Sequence, residues 1–236
     1  MSQCDHTLKS KEFKIILKSG NFKDIIEGKE NVINTIKSQI QKQGGTFDDT
    51  DQDEDHRNIL YLDTENHVLY KEKKFFLRMR AQFKKNGNLK EYEVNLKNRE
   101  EDVHKALKYN LSAQPENNPN YKNFEFKFEE DIIIPFRSKF SASTNFESEQ
   151  QPKLETWQDI LNVFPNLDLG IQSDEGLLPV NRFIAKEFSY KLGIIKFKDE
   201  NIAETGISLW YKMPSIEESI EDNDFSLESK IRFRIL

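Results

Sequence analysis

The sequence predicts an α+β protein built on a curved antiparallel sheet. Three observations predict it. Strand-like segments follow one another as close neighbours, helical segments are the minority, and five separate strands set an apolar side against a side carrying charge. Side chains alternate between faces along a strand, so the parity of each charge says which side it takes. Ser10 to Lys18 reads as the first strand, with Glu12 and Lys14 on one side. Asn21 to Gln43 places Ile26, Ile33, Ile36 and Ile40 near helical spacing and stops at Gly44-Gly45, as helices commonly do. The acidic run between Phe47 and His56 reads as a solvated connector, because it lacks the glycine and the terminal glutamate of an EF-hand calcium loop.

Ile59 to Arg80 and Glu91 to Lys97 then give three short strands, with a hairpin turn at Asn86-Gly87-Asn88. Arg78 and Arg80 point together while Leu77 and Met79 point away. Glu91, Glu93, Asn95 and Lys97 line one side, opposite Tyr92, Val94 and Leu96. Arg99 to Tyr109 is expected to be helical and Ser112 to Asn120 a loop. Phe124 to Ile134 is a strand that puts Lys127, Glu129 and Asp131 on one side. Residues 141–153 are polar and expected to form a mobile loop. Leu154, Trp157, Ile160, Leu161 and Phe164 make an apolar helical stripe that Pro165 ends. From Arg182 the chain turns β-like again, through RFIAKEFSYKLGIIKF and TGISLWYK. An acidic loop follows between Pro214 and Asp224, and a last strand carries Glu228, Lys230, Arg232 and Arg234 on one face. No internal repeat is present, and residues 1–236 are expected to form a single domain.

Composition narrows the function classes. Charged residues make up 32%, yet 18 Phe, 7 Tyr and 2 Trp supply a large apolar core. Neither GxGxxG nor GxxxxGK[ST] occurs, and a net charge of −6 argues against an extended nucleic-acid surface. One cysteine, Cys4, excludes an internal disulfide and fits a reducing compartment. The start of the chain has no apolar core of a leader, and no apolar run approaches a membrane span. The expectation is a cytoplasmic protein without membrane association, its oligomeric state undetermined. The four histidines lie far apart, without zinc-ligand spacing. Mixed-charge strand faces have two readings at this point. They face water, as one side of many antiparallel sheets does, or they line the inside of a closed barrel whose apolar outside the helices cover.

The segments, taken in order, resemble a known family. SKEFK at Ser10–Lys14 and YLDT at Tyr61–Thr64 precede LRMR at Leu77–Arg80; NLK at Asn95–Lys97 and KFEED at Lys127–Asp131 follow. This series is similar to the CYTH superfamily, the triphosphate tunnel metalloenzymes, over most of the first 140 residues. The resemblance implies a closed antiparallel β-barrel with a charged lumen and helices packed outside. It also implies metal-dependent hydrolysis of a triphosphate, inorganic or organic, with Mg²⁺ or Mn²⁺. Under it Glu12, Lys14 and Glu129 are catalytic. Arg78, Arg80, Lys97, Lys127, Arg137, Lys139, Arg232 and Arg234 grip phosphate, and Glu12, Glu129, Asp131 and Glu228 hold metal. Tyr61 and Asp63 read as structural rather than catalytic. The chemistry suits these residue types: phosphoryl transfer is mostly positioning and charge stabilisation, for which cations from several strands and a few oxygen ligands suffice. Two departures bear on rate. Ser10 stands where the family has its first glutamate, and Lys127 replaces an arginine, losing the planar fork. They motivate a second reading, a polyphosphate- or nucleotide-binding module with impaired turnover; the resemblance itself also leaves an adenylate cyclase of the class IV type as a third.

Overall fold

The computed structural model describes residues 8, 10–17, 22, 24–49, 54–133, 136–197, 202–213 and, by backbone alone, 227–235. Among these residues the chain is α+β. Its strands are β1 (Ser10–Leu17), β2 (Thr46–Asp49), β3 (Glu54–Asp63), β4 (Phe75–Phe83), β5 (Leu89–Glu100), β6 (Tyr121–Ile133), β7 (Arg137–Ser148), β8 (Leu178–Lys196), β9 (Ile202–Met213) and β10 (Leu227–Ile235). Three helices intervene: α1 (Ile25–Lys42) after β1, the one-turn α2 (Val103–Ala106) after β5, and α3 (Trp157–Val163) after β7. A π-turn at Leu69–Lys73 leads into β4. No helix among the described residues is long and apolar enough to cross a membrane.

The ten strands form one sheet in the order β2-β8-β3-β4-β5-β7-β6-β1-β10-β9, and β8 also pairs with β9. Nearly all neighbours run antiparallel, from hairpins such as β4–β5 and β6–β7. One pair corrects the all-antiparallel expectation: β1 lies parallel to β6, with Ser10 opposite Glu129 and Glu12 opposite Asp131. Strand parity along β1 and β6 does not encode direction, so the sheet is mixed where the sequence suggested uniformity.

Helix α1 starts where Asp24 accepts a hydrogen bond from the Glu27 amide at 3.0 Å, and α3 carries a Thr156–Asp159 capping box. Both lie on apolar sheet faces. Leu77, Val94, Leu96 and Phe146 from β4, β5 and β7 pack with Trp157, Ile160 and Phe164 in one buried cluster. Ile33 and Ile36 of α1 pack on Leu192, Ile195, Ile207 and Leu209 of β8 and β9 in the second. Two local expectations fail. The helix expected over Arg99–Tyr109 shrinks to four residues because β5 continues to Glu100, paired with Phe140 of β7. The loop expected at 141–153 is mostly β7, whose Ser141, Ser143, Thr144 and Phe146 are buried between two strands. Hydroxyl-rich composition suggests solvent exposure, whereas Ser141 and Ser143 meet the charged face and the Thr144 hydroxyl donates to the Leu111 carbonyl at 2.7 Å. The acidic connector yields β2 and the start of β3, its residues 50–53 lying outside the described ones, as does the acidic loop between Pro214 and Asp224.

Candidate functional site, a charged sheet face

The apolar residues that bury against the helices fix the direction of every intervening side chain. With Leu77 and Met79 turned to the helices, Arg78 and Arg80 take the opposite face, and so do Glu93, Asn95, Lys97 and Arg99 of β5. The pairing aligns these residues across strands. Glu93 lies opposite Arg80 on one side and Glu147 on the other, Asn95 opposite Arg78 and Asn145, and Lys97 opposite Ser143. Ser143 in turn faces Lys127, and Ser141 faces Glu129. Parallel β1 then brings Ser10 to Glu129 and Glu12 to Asp131.

Two clusters emerge. In the first, Asp131 is fully buried and accepts from Lys14 Nζ at 2.6 Å, from Ser141 Oγ at 3.2 Å and from the Arg99 guanidinium. Lys14 also meets Glu12 at 2.8 Å, while Glu129 accepts from Ser10 Oγ at 3.3 Å and pairs with Lys97 at 3.5 Å. Burial alone would raise the Asp131 pKa; Lys14, Lys97 and Arg99 outweigh it and hold the carboxyl well below the usual range. Burial pushes the Lys97 ammonium down to about 8, against the opposing pull of Asp131 and Glu129. In the second cluster one acid serves two cations: Glu93 accepts from Arg80 at 2.8 Å and stands 3.8 Å from Arg78. Burial, with Arg78 adding to it, lowers Arg80 to about 10.

The same face continues onto β3, β8 and β9. Arg57 bridges Asp55 at 2.7 Å and Glu187 at 3.2 Å, and the fully buried Glu187 also accepts from Trp210 Nε1 at 3.0 Å. Arg57, Arg78, Arg80 and Arg99 each leave a buried Nε with no hydrogen-bond acceptor among the described residues. A buried donor without a partner costs on the order of 1–3 kcal/mol. Among the described residues these donors go without acceptor oxygens although the face carries several acids.

Of the residues the sequence singled out, Glu12, Lys14, Lys97, Glu129 and Asp131 come together, and Arg78 and Arg80 share Glu93 on the same face. Lys127 pairs instead with Glu125 at 2.8 Å. Lys139 lies opposite Asp131 and Arg137 opposite Ile133, with Arg137 exposed at the end of the strand. For β10 the register sets Arg232 opposite Lys14 and Arg234 opposite Glu12, and Glu228 opposite Trp210; the side chains of Glu228, Arg232 and Arg234 lie outside the described residues. Asp63 has the structural role expected of it, accepting from the amides of Thr64, Leu69 and Tyr70 at 2.7, 2.9 and 3.0 Å to fasten the π-turn.

Sequence reading missed Arg99, Arg57, Glu187 and Trp210. Arg99 was legible, since it continues the period of Glu93, Asn95 and Lys97; assigning it to a helix hid it. Among the described residues no group of three acids, imidazoles or thiols is placed to hold a metal ion. No family model matches this chain, and no curated protein matches it.

Proposed function

We propose that this chain binds a triphosphate along its charged sheet face. The observation that carries the reading is the set of four buried guanidinium Nε groups that find no acceptor among the described residues, on the same face as Lys14 and Lys97 and on strands whose acids are already shared between cations. A chain of phosphate oxygens supplies the missing acceptors, and charge-assisted bonds to it are stronger than neutral ones. We further infer that the sheet comes round on itself into a tunnel with this face inside. Support comes from β8, which pairs with β3 and also with β9, the far end of the strand series. Enclosure would strengthen each phosphate contact relative to water.

Metal-dependent hydrolysis of the terminal phosphate is the second reading. What favours it is the adjacency of Glu12, Glu129 and Asp131 on β1 and β6, together with the order of the segments that resembles the CYTH superfamily. The donor set does not suit a resident ion. Asp131 spends its oxygens on Lys14, Arg99 and Ser141, and Glu12 is held by Lys14. It does suit Mg²⁺ or Mn²⁺ carried in on the phosphates, for which one or two carboxylates suffice, here Glu12 and Glu129. Such an ion would neutralise charge on the leaving oxygens. The chain's own part is to hold the phosphate chain straight with Arg78, Lys97 and Arg99 and to keep water ordered against Glu129.

One experiment separates the readings. Phosphate release from tripolyphosphate and from ATP is followed with Mg²⁺ or Mn²⁺, alongside calorimetric titration of tripolyphosphate without metal. Binding without release supports the module. Release that disappears in Glu129→Gln while tripolyphosphate binding survives supports the hydrolase, and cyclic AMP among the products would mark the cyclase variant. Neither binding nor release ends the triphosphate reading.

A further inference from the structure

Beside Arg78 the charged face changes character. Tyr61, the direct cross-strand neighbour of Arg78, leans toward Trp210 with ring centroids 6.5 Å apart and planes tilted by 34°. The two residues stand on β3 and β9, with β8 between them. On the diagonal that joins them β8 carries the small Ala185, paired with Ile59 on one side and Lys212 on the other. The indole is held in place: its Nε1 donates to Glu187 at 3.0 Å, and the other Glu187 oxygen is taken by Arg57 at 3.2 Å. Both rings remain partly accessible, unlike Trp157, which is buried in the cluster around α3. No step of phosphate binding uses this aromatic pair.

We propose that Tyr61 and Trp210 form a seat for a planar ring attached to the triphosphate, which makes the ligand a nucleoside triphosphate or a similar ring-bearing ester rather than the inorganic chain. A ring stacked there leaves its phosphates beside Arg78, whose Nε finds no acceptor among the described residues, with Arg80 next along the strand and Lys97 on the adjoining one. Aromatic stacking on a base tolerates any of the common bases, because each has a π-face. A pre-set indole loses little freedom on binding. This inference rests on the triphosphate reading and deepens it.

The test compares ligands as well as variants. Tripolyphosphate and the four common nucleoside triphosphates are titrated into wild-type protein, Trp210→Leu, Trp210→Phe and Tyr61→Leu, with tryptophan emission recorded. The expected result is that Trp210→Leu weakens every nucleoside triphosphate about tenfold and leaves tripolyphosphate within about twofold, while Trp210→Phe keeps most of the affinity. Nucleoside triphosphates, and not tripolyphosphate, are expected to quench emission, Trp157 supplying a constant background. Should Trp210→Leu fail to fold for want of the Glu187 partner, Tyr61→Leu carries the same comparison. Equal weakening of both ligand types, or none, overturns the ring seat but leaves tripolyphosphate binding standing. Failure of tripolyphosphate itself to bind wild-type protein removes the triphosphate reading with it.

Discussion

Lys97 is the residue on which the charged face can be titrated. Burial lowers its pKa to about 8 from an ordinary 10.5, so the folded chain releases this proton before the unfolded chain does. Between those values the unfolded chain binds more protons, and raising the pH stabilises the fold. Ligand binding runs the other way, since a phosphate oxygen needs the ammonium. Tripolyphosphate affinity is expected to fall as pH rises through about 8, with proton uptake on binding near that pH, measurable by calorimetry in buffers of different ionisation enthalpy. In Lys97→Arg the fall moves to higher pH, and in Lys97→Met affinity is low throughout. Asp131 is a sharper case. Its depressed pKa contributes stability that is present above the ordinary carboxylate range and lost as pH falls through its folded value. Replacing it with alanine removes the acid that Lys14 and Arg99 share, leaving Lys14 its pairing with Glu12. Denaturant unfolding of Asp131→Ala is expected to show a loss of roughly 3–5 kcal/mol, whereas removing Glu149, an exposed partner of Lys122, should leave stability nearly unchanged.

Among the elements, the β2–β8 contact places its own demand on sequence. At Gly193 an added Cβ would come within 2.5 Å of the Asp48 carbonyl and 2.6 Å of the Phe47 ring. The backbone shift this forces in Gly193→Ala is expected to cost about 1–3 kcal/mol, read as a lowered melting temperature. At the start of α1, Asp24→Ala removes a cap bond and is expected to cost about 1 kcal/mol. These elements differed in how plainly the sequence announced them. Helix α1 was legible because its isoleucines repeat at helical spacing and Gly44-Gly45 stops it; β3, β4 and β5 were legible from alternation. β7 was not, because Ser141, Ser143 and Asn145 on a polar face look like a loop until a charged neighbour strand is known to face them. The parallel neighbours β1 and β6 escaped for a different reason. Residues 10 and 129 meet only in the folded chain, so the join that sets Glu12 against Asp131 has no local signature. At the site, cations at alternating positions could be read directly; Glu187 and Trp210 could not, since one lies among mixed charges and the other in an apolar strand.

For the whole molecule, the net charge of −6 and the cation-rich face make opposite demands on an anionic ligand. Long-range repulsion from the surface is screened by salt over about a Debye length, while the buried pairs are screened much less. Affinity for a polyanion should therefore depend on salt less steeply than for a basic surface groove. It should depend strongly on individual buried cations. The central claim is that Lys14, Arg78 and Lys97, from three separated stretches of chain, grip one ligand together. The most direct measurement is the dissociation constant of tripolyphosphate for wild-type protein, Arg78→Ala, Lys97→Met and the exposed-surface control Lys153→Ala, taken at one pH and one salt concentration. The account predicts binding by wild-type protein, a loss of roughly 10- to 100-fold for each of the two site variants, and no change for the control. Wild-type protein that does not bind, or site variants that bind as well as the control, would contradict it.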